Sequence, residues 1–78
     1  MFIHIGNNNT IAESEIIAIL DSKTVNNSEV NKEFIDNLIE DGFLLNSDTE
    51  DIKTYIIVGN GIYTSNISST ALYRRSKL

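Results

Sequence analysis

The sequence predicts an α+β fold, with a small, mostly antiparallel sheet, one amphipathic helix packed on it and a short C-terminal helix. Two observations support this prediction. Residues 29–41 repeat apolar side chains at helical spacing, with acidic and amide side chains on the other face. Residues 53–65 instead form two β-rich runs around Gly59-Asn60-Gly61, which is a strong hairpin signal. Residues 1–78 are predicted to form a single domain.

The part of the chain before the helix predicts two strands and a loop. The segment FIHI at 2–5 is short, β-branched and alternating, and it stops at Gly6 and a run of asparagines that tolerate turn geometry. An extended pattern resumes at 10–20. Its second half, 15–20, is so continuously apolar that it predicts a central strand covered on both faces. Residues 22–28 are polar and rich in asparagine, which predicts a loop.

The helix predicted over 29–41 has signals at both ends. Asn27 or Ser28 can accept hydrogen bonds from the N–H groups of its first turn, and Glu29 complements the positive end of the helix dipole. Gly42 after Asp41 is typical of a helix end. The apolar stripe predicted to lie on the sheet consists of Val30, Phe34, Ile35, Leu38 and Ile39.

The C-terminal half predicts three strands and a second helix. The segment FLL at 43–45 predicts the beginning of a strand, and the polar residues 46–51 predict a turn. The Asn-Gly pair predicts a type I′ hairpin turn, which requires positive φ at both central positions. Ser68 or Ser69 can cap a short helix that runs into the tail. The predicted order is therefore β-β-helix-β-β-β-helix.

The small size of the chain favours self-association. A domain of 78 residues buries only about 60% of its unfolded surface and is marginal alone. The chain has no cysteine and one histidine, which excludes disulfides, thiolate metal sites and an imidazole-rich zinc site. The start, MFIHIGNNN, lacks signal-peptide features, and the longest apolar run, IIAIL at 16–20, is too short to span a bilayer. We therefore expect a soluble, cytoplasmic protein without a membrane partner.

No residue pattern predicts an enzyme, a cofactor or a small-molecule substrate. His4 lies between Ile3 and Ile5 without any nucleophile motif, so a structural or interface histidine is favoured over a general base. Asp48, Glu50 and Asp51 do not match a calcium loop, and a solvated turn is the favoured interpretation. The helix carboxylates Glu33, Asp36 and Glu40 are typical of an exposed, solvated face.

Two further patterns are also structural in their favoured interpretation. The segment Gly59-Asn60-Gly61 lacks the spacing of a phosphate-binding glycine motif and joins two strands, which indicates a turn. Tyr55, Tyr63 and Tyr73 could stack on bases, but no basic residues are interleaved with them. Packing in the core or at a subunit interface is therefore preferred for the tyrosines.

The basic tail is the one feature with two competing interpretations. The net charge is −5, and residues 1–73 hold eleven acids against three lysines, giving 3 − 11 = −8. Arg74, Arg75 and Lys77 then follow within five residues. Cations in the last turn of a helix are stabilised by its dipole, which needs no ligand. Such a concentration of charge could equally contact nucleic acid or an acidic partner.

Three stretches together resemble the RemA/RemB family of bacterial extracellular matrix regulatory proteins, particularly its RemB-like branch. They are Ile3-His4-Ile5-Gly6, the segment IIAILD at 16–21, and the segment IYTSNISS at 62–69 that continues to Leu72 and Arg74-Arg75. The resemblance covers essentially the whole chain in the family's order. It implies a non-enzymatic protein that assembles into rings and regulates biofilm-matrix genes by binding DNA.

The resemblance also points to residues that depart from the family. The RemA-like branch carries arginines that contact DNA where this chain has Glu15, Glu50 and Asp51, and carboxylates there would repel phosphates. Lys53 keeps a positive charge near that surface, and Arg74 and Arg75 match the basic pair of RemB-like proteins.

The expected DNA-binding residues are accordingly Lys53, Arg74, Arg75 and Lys77. The expected partners are further copies of the chain and double-stranded DNA. The alternative function is that of an oligomeric protein-interaction or scaffold module that does not bind DNA.

Overall fold

The α+β prediction is confirmed by the computed structural model, which describes residues 1–6, 9–46 and 51–76. A 3₁₀ turn at Glu13–Glu15 links the second and third strands. The strands are β1 Phe2–Gly6, β2 Asn9–Ala12, β3 Ile16–Asp21, β4 Thr54–Val58 and β5 Gly61–Ser65. The helices are α1 Ser22–Asn26, α2 Glu29–Glu40 and α3 Ser69–Ser76.

The strands form two antiparallel sheets. β1 and β2 form a hairpin, and β3, β4 and β5 form a second sheet in that spatial order. The prediction of a central strand at 15–20 is wrong, because β3 lies at an edge of its sheet. A bulge between Ile16 and Ala18 turns Ile17 outward, where its side chain is 69% exposed. The apolar run therefore marked a strand but not its position in the sheet.

The three-stranded sheet is the middle of three layers. One of its faces packs on the β1–β2 hairpin and on Leu72 of α3, and Ile56 and Val58 of β4 contribute to this core. The opposite face packs on α1 and α2 through Val25, Ile35 and the neighbouring apolar residues of β4 and β5. Apolar residues follow one another along β4 because both of its faces are covered, and successive side chains enter opposite cores. The β1–β2 hairpin and α3 thus lie on one side of the sheet, and α1 and α2 lie on the other.

The loop predicted at 22–28 is wrong over most of its length, because Ser22–Asn26 form helix α1. The Asp21 carboxylate accepts a hydrogen bond from the Lys23 N–H at 2.8 Å and caps this helix. Val25 is fully buried against α2. A five-residue helix has too few positions for a helical repeat to show in the sequence.

The main helix is confirmed, together with both of its end signals. The Ser28 hydroxyl accepts from the Asn31 N–H at 3.3 Å. Gly42, with φ of 86°, follows the last turn, and the Gly42 and Phe43 N–H groups donate to the Ile39 and Leu38 carbonyls. This pair of bonds is a Schellman motif, which requires a residue that tolerates positive φ.

The predicted stripe of α2 is only partly covered by the sheet. Ile35 is fully buried, and Leu38 and Ile39 pack beside it in the second core. Val30 and Phe34, one turn apart, are instead 76% and 52% exposed. These two residues are called the helix patch below. The sheet of one copy of the chain therefore covers only part of the apolar face of α2 and leaves the helix patch exposed.

The strand predicted from 43–45 is reduced to a single parallel bridge between Leu44 and Ile62. The segment nevertheless covers the outer edge of β5. The Ile62 N–H donates to the Phe43 carbonyl, and the Leu45 N–H donates to the Ile62 carbonyl. Asn46 continues the pattern with its side-chain amide, which bonds both the N–H and the carbonyl of Thr64 at 3.0 and 2.8 Å. The polar turn predicted at 46–51 falls largely on 47–50, outside the described residues.

The β4–β5 hairpin is confirmed, but its predicted turn type is wrong. Val58 pairs with Gly61, so the two loop residues are Gly59 and Asn60 instead of Asn60 and Gly61. Neither loop residue has positive φ, whereas a type I′ turn requires it at both. Strand register therefore placed the turn one residue earlier than the Asn-Gly pair suggests.

Ser65, the last residue of β5, connects the three-stranded sheet to β1 and to the segment that precedes α3. Its buried hydroxyl donates to the Ile5 carbonyl at 2.7 Å and accepts from the Ile67 N–H at 3.0 Å. The equally buried Thr54 hydroxyl donates to the Ile67 carbonyl at 2.7 Å. These bonds fix residues 65–67, and so they set where α3 begins.

Ser65→Ala is expected to lower the free energy of unfolding by about 1–3 kcal/mol, because it leaves a buried carbonyl and N–H unpaired. Urea unfolding followed by circular dichroism measures the loss. Ser14→Ala is the matched control, since Ser14 is exposed. Equal stability of the two variants would show that the Ser65 bonds do not hold the layers together.

Candidate nucleic-acid interface

The layer formed by β1, β2 and α3 carries no acidic residue. Every acidic residue lies between positions 13 and 51, so residues 1–12 and 52–78 carry none. β1 and β2 come from the first of these segments, α3 comes from the second, and all three pack on the same face of the central sheet. This layer carries Arg74, Arg75 and His4, all exposed. We call these three residues the basic face.

The opposite layer has the opposite charge. Helix α2 carries four acids and one lysine, and the side chains of all five are exposed. The acids are Glu29, Glu33, Asp36 and Glu40, so the prediction that the helix carboxylates lie on a solvated face is confirmed. An approaching polyanion would be repelled from α2 and attracted to the basic face. One copy of the chain therefore has a positively charged layer and a negatively charged layer on opposite sides of the central sheet.

Helix α3 is fixed at its start and along its length, so its two arginines have a defined position. The Ser68 hydroxyl accepts from the Ala71 N–H at 3.2 Å, and this identifies Ser68 as the cap. Leu72 is buried in the first core. The Tyr73 hydroxyl donates to the Ile19 carbonyl at 3.1 Å and ties the helix to β3. Arg74 and Arg75 then lie exposed in the last turn.

Arg75 connects the tail to the start of the chain. Its Nη1 donates to the backbone carbonyl of His4 at 2.9 Å. A guanidinium has five N–H donors, so this bond leaves most of them for a ligand. The bond places the Arg75 guanidinium at the backbone of His4, whose side chain is exposed. No acid lies on β1, β2 or α3 to neutralise this cluster.

Lys53 lies at the other end of α3 from the arginines. Its N–H donates to the Ser65 carbonyl and its carbonyl accepts from the Ser22 N–H, so it lies just before β4. Six residues of helix, about 9 Å, separate Ser68 at this end from Arg74. Lys53 lines a cleft of about 300 Å³ together with Asp21, Ser22, Lys23, Asp51, Ile52 and Ser68. The two carboxylates there offset the two lysines, so Lys53 does not extend the basic face.

Glu15 and Asp51, the two described acids at positions that depart from the RemA-like pattern, lie at opposite ends of the central sheet. Glu15 is exposed at the start of β3 and lines a shallow depression of about 540 Å³ beside the Gly59–Asn60 turn. Asp51 is exposed with φ of 59° at the opposite end of the sheet, where β3 ends. Asp48, Glu50 and Lys77 lie outside the described residues.

The predicted core packing is confirmed for Tyr55 and Tyr63, whereas Tyr73 is 46% exposed. Tyr63 packs against the first core and Tyr55 against the second. Burial, with a smaller contribution from the nearby Asp36 carboxylate, raises the pKa of Tyr55 above its ordinary value. Tyr73 is bound to β3 through its hydroxyl.

The residues that the structure describes contain no cluster of three or more histidine, cysteine or carboxylate groups placed to hold a metal ion. Among the same residues, no helix is both long enough and apolar enough to cross a membrane.

The sequence indicated the arginines but not the surface that they share with His4. The sequence does contain a signal for this surface, because all acidic residues lie between positions 13 and 51. A net charge summed over residues 1–73 does not show that residues 1–12 and 52–73 carry no acid. Only the packing of α3 on β1 then turns two distant segments into one surface.

Comparison with known proteins agrees with the resemblance. The family model described as RemA-like, extracellular matrix regulatory protein A-like, matches residues 2–75. No curated protein matches the chain. The matched region includes both arginines of the basic face and every strand and helix except the last residue of α3.

Proposed function

Because this chain belongs to the RemA-like family of extracellular matrix regulatory proteins, which is not an enzyme family, we propose that it is a ring-forming, cytoplasmic regulator of biofilm-matrix genes that binds DNA. The observation that carries the proposal is the acid-free layer on which Arg74 and Arg75 are exposed. We further propose that the chain belongs to the RemB-like branch, because the cations lie on α3 while Glu15 and Asp51 occupy arginine positions of the other branch.

Ring assembly is supported by two unlike apolar surfaces on opposite layers. The helix patch, Val30 and Phe34, lies on α2. Met1 and Phe2, which are 84% and 74% exposed, begin the layer across the sheet. Contact between unlike surfaces of identical subunits is heterologous, and it generates a ring when the rotation closes. Burying these side chains would also supply the stability that a chain of 78 residues lacks alone.

A ring would multiply the basic face. One subunit offers two described arginines, and Lys77 follows them in sequence. Because each subunit of a ring has the same orientation, the pairs form a continuous circle of cations. Each phosphate contact adds about 0.9 to the slope of log K against log salt concentration.

The proposal is tested by fluorescence anisotropy titration of a labelled duplex at 50 and 200 mM salt. Six or more phosphate contacts predict an affinity that falls about a thousandfold between these two conditions. Absence of binding at 50 mM salt, or binding that salt does not weaken, would refute the proposed DNA contact.

The second candidate is an oligomeric scaffold that binds a protein instead of DNA. The exposed carboxylates of Glu15 and Asp51 favour it, since they lie where the resemblance places DNA-contacting arginines. A stable oligomer that ignores duplex DNA at low salt and retains a specific protein from a pull-down would support this candidate over the first.

A further inference from the structure

We infer that His4 is a further contact residue of the basic face and that its protonation tightens the binding of DNA there. This inference rests on the proposed DNA contact through Arg74 and Arg75 and adds its regulation. The side chain of His4 is exposed on the face of β1 opposite to the buried Ile3 and Ile5. It is the only histidine in the chain.

The position of His4 is fixed by backbone contacts on both sides. Its carbonyl accepts from Arg75 Nη1 at 2.9 Å, so the arginine that would contact a phosphate is attached to the backbone of the histidine. On the other side, His4 pairs with Thr10 of β2. A phosphate bound by Arg75 would thus lie within reach of a neighbouring imidazole, whose two N–H groups both donate when it is protonated.

The elements around His4 carry no carboxylate that would neutralise a protonated imidazole, so its charge would attract a bound polyanion. β2 carries no ionisable side chain, and α3 contributes Tyr73, Arg74 and Arg75. Along β1, the nearest titratable groups are the Met1 amine and Glu13, whose N–H donates to the Met1 carbonyl at 2.9 Å. These groups lie at the Phe2 end of the strand. No acid on β1, β2 or α3 would neutralise an imidazolium.

The sign of the effect follows from the charge. Histidine is the side chain that ordinarily changes charge between pH 5 and 8. Protonation adds one cation to each basic face, while duplex phosphates remain ionised over this range. DNA binding should therefore strengthen as the pH falls, by about three- to tenfold between pH 8.0 and 5.5 at 100 mM salt.

The test is anisotropy titration of the full chain with a labelled duplex at pH 8.0 and 5.5, for wild type, His4→Gln and His4→Lys. Wild type should show the three- to tenfold gain, and His4→Gln should lose most of it. His4→Lys should bind at pH 8.0 about as tightly as wild type binds at pH 5.5. Circular dichroism at both pH values checks that each variant remains folded.

A matched control moves the imidazole to the far end of the sheet. His4→Gln combined with Asn60→His keeps one histidine in the chain, as in wild type. The new histidine replaces Asn60, which lies exposed in the β4–β5 turn beside Glu15. This variant should not recover the pH dependence. If His4→Gln keeps the full pH dependence, the inference about His4 is wrong while the arginine contact stands. If wild type binds no duplex even at pH 5.5, both are wrong.

Discussion

Reversing both arginines of α3, with Arg74→Glu and Arg75→Glu, is expected to weaken DNA binding by about a hundredfold or more at 100 mM salt. The variant removes two phosphate contacts from each subunit and replaces them with repulsion. The salt slope should fall by about two for each subunit that contacts the duplex. Anisotropy titration over 50–200 mM salt measures both quantities.

The matched control for this variant reverses two lysines on the other layer. Lys23→Glu with Lys32→Glu changes the net charge by the same amount, and both lysines are exposed on α1 and α2. If binding depends on the basic face, the lysine variant should bind DNA nearly as well as wild type. Equal losses in the two variants would show that only net charge matters and would contradict a defined interface.

Introducing a carboxylate into the helix patch, with Phe34→Asp, is expected to convert the assembly into monomers at micromolar concentration. Phe34 is 52% exposed in one copy, and burying the remaining half of the side chain in a contact contributes about 1 kcal/mol. Aspartate loses this contribution and adds the cost of burying a charge. Size-exclusion chromatography with light scattering measures the change in mass.

Asn31→Asp provides the control for the helix-patch prediction. Asn31 is exposed on the same helix, so this variant adds the same charge without removing an apolar contact. The control should remain assembled, and both variants should keep the helical signal of the folded chain. An unchanged mass for Phe34→Asp would show that α2 lies outside the subunit contact.

The contrast between α2 and α1 shows what sequence patterns could and could not predict. α2 was predicted within a residue at its C-terminus, because Ser28, the apolar repeat and Gly42 are all local signals. α1 was missed, because five residues are too few for a repeat and its stability comes from Val25 packing on α2. The edge position of β3 likewise depends on which strands pair, and the composition of a strand does not determine that.

The same distinction applies to the candidate interface. Arg74 and Arg75 were identified from their concentration in the tail. The bond from Arg75 to the His4 carbonyl joins residues about seventy positions apart, and it exists only because Leu72 and Ser65 hold α3 and β1 on one face of the central sheet. The resemblance places Lys53 near the arginine positions of the RemA-like branch, and in the structure it lines the cleft at the other end of α3 with two carboxylates.

We propose that copies of this chain assemble and present their basic faces to DNA. Multi-angle light scattering of the purified protein, with and without a short duplex at 50 mM salt, tests assembly and binding together. We expect a discrete oligomer whose mass increases by that of bound duplex. A monomer at micromolar concentration, or an oligomer whose mass the duplex leaves unchanged, would contradict it.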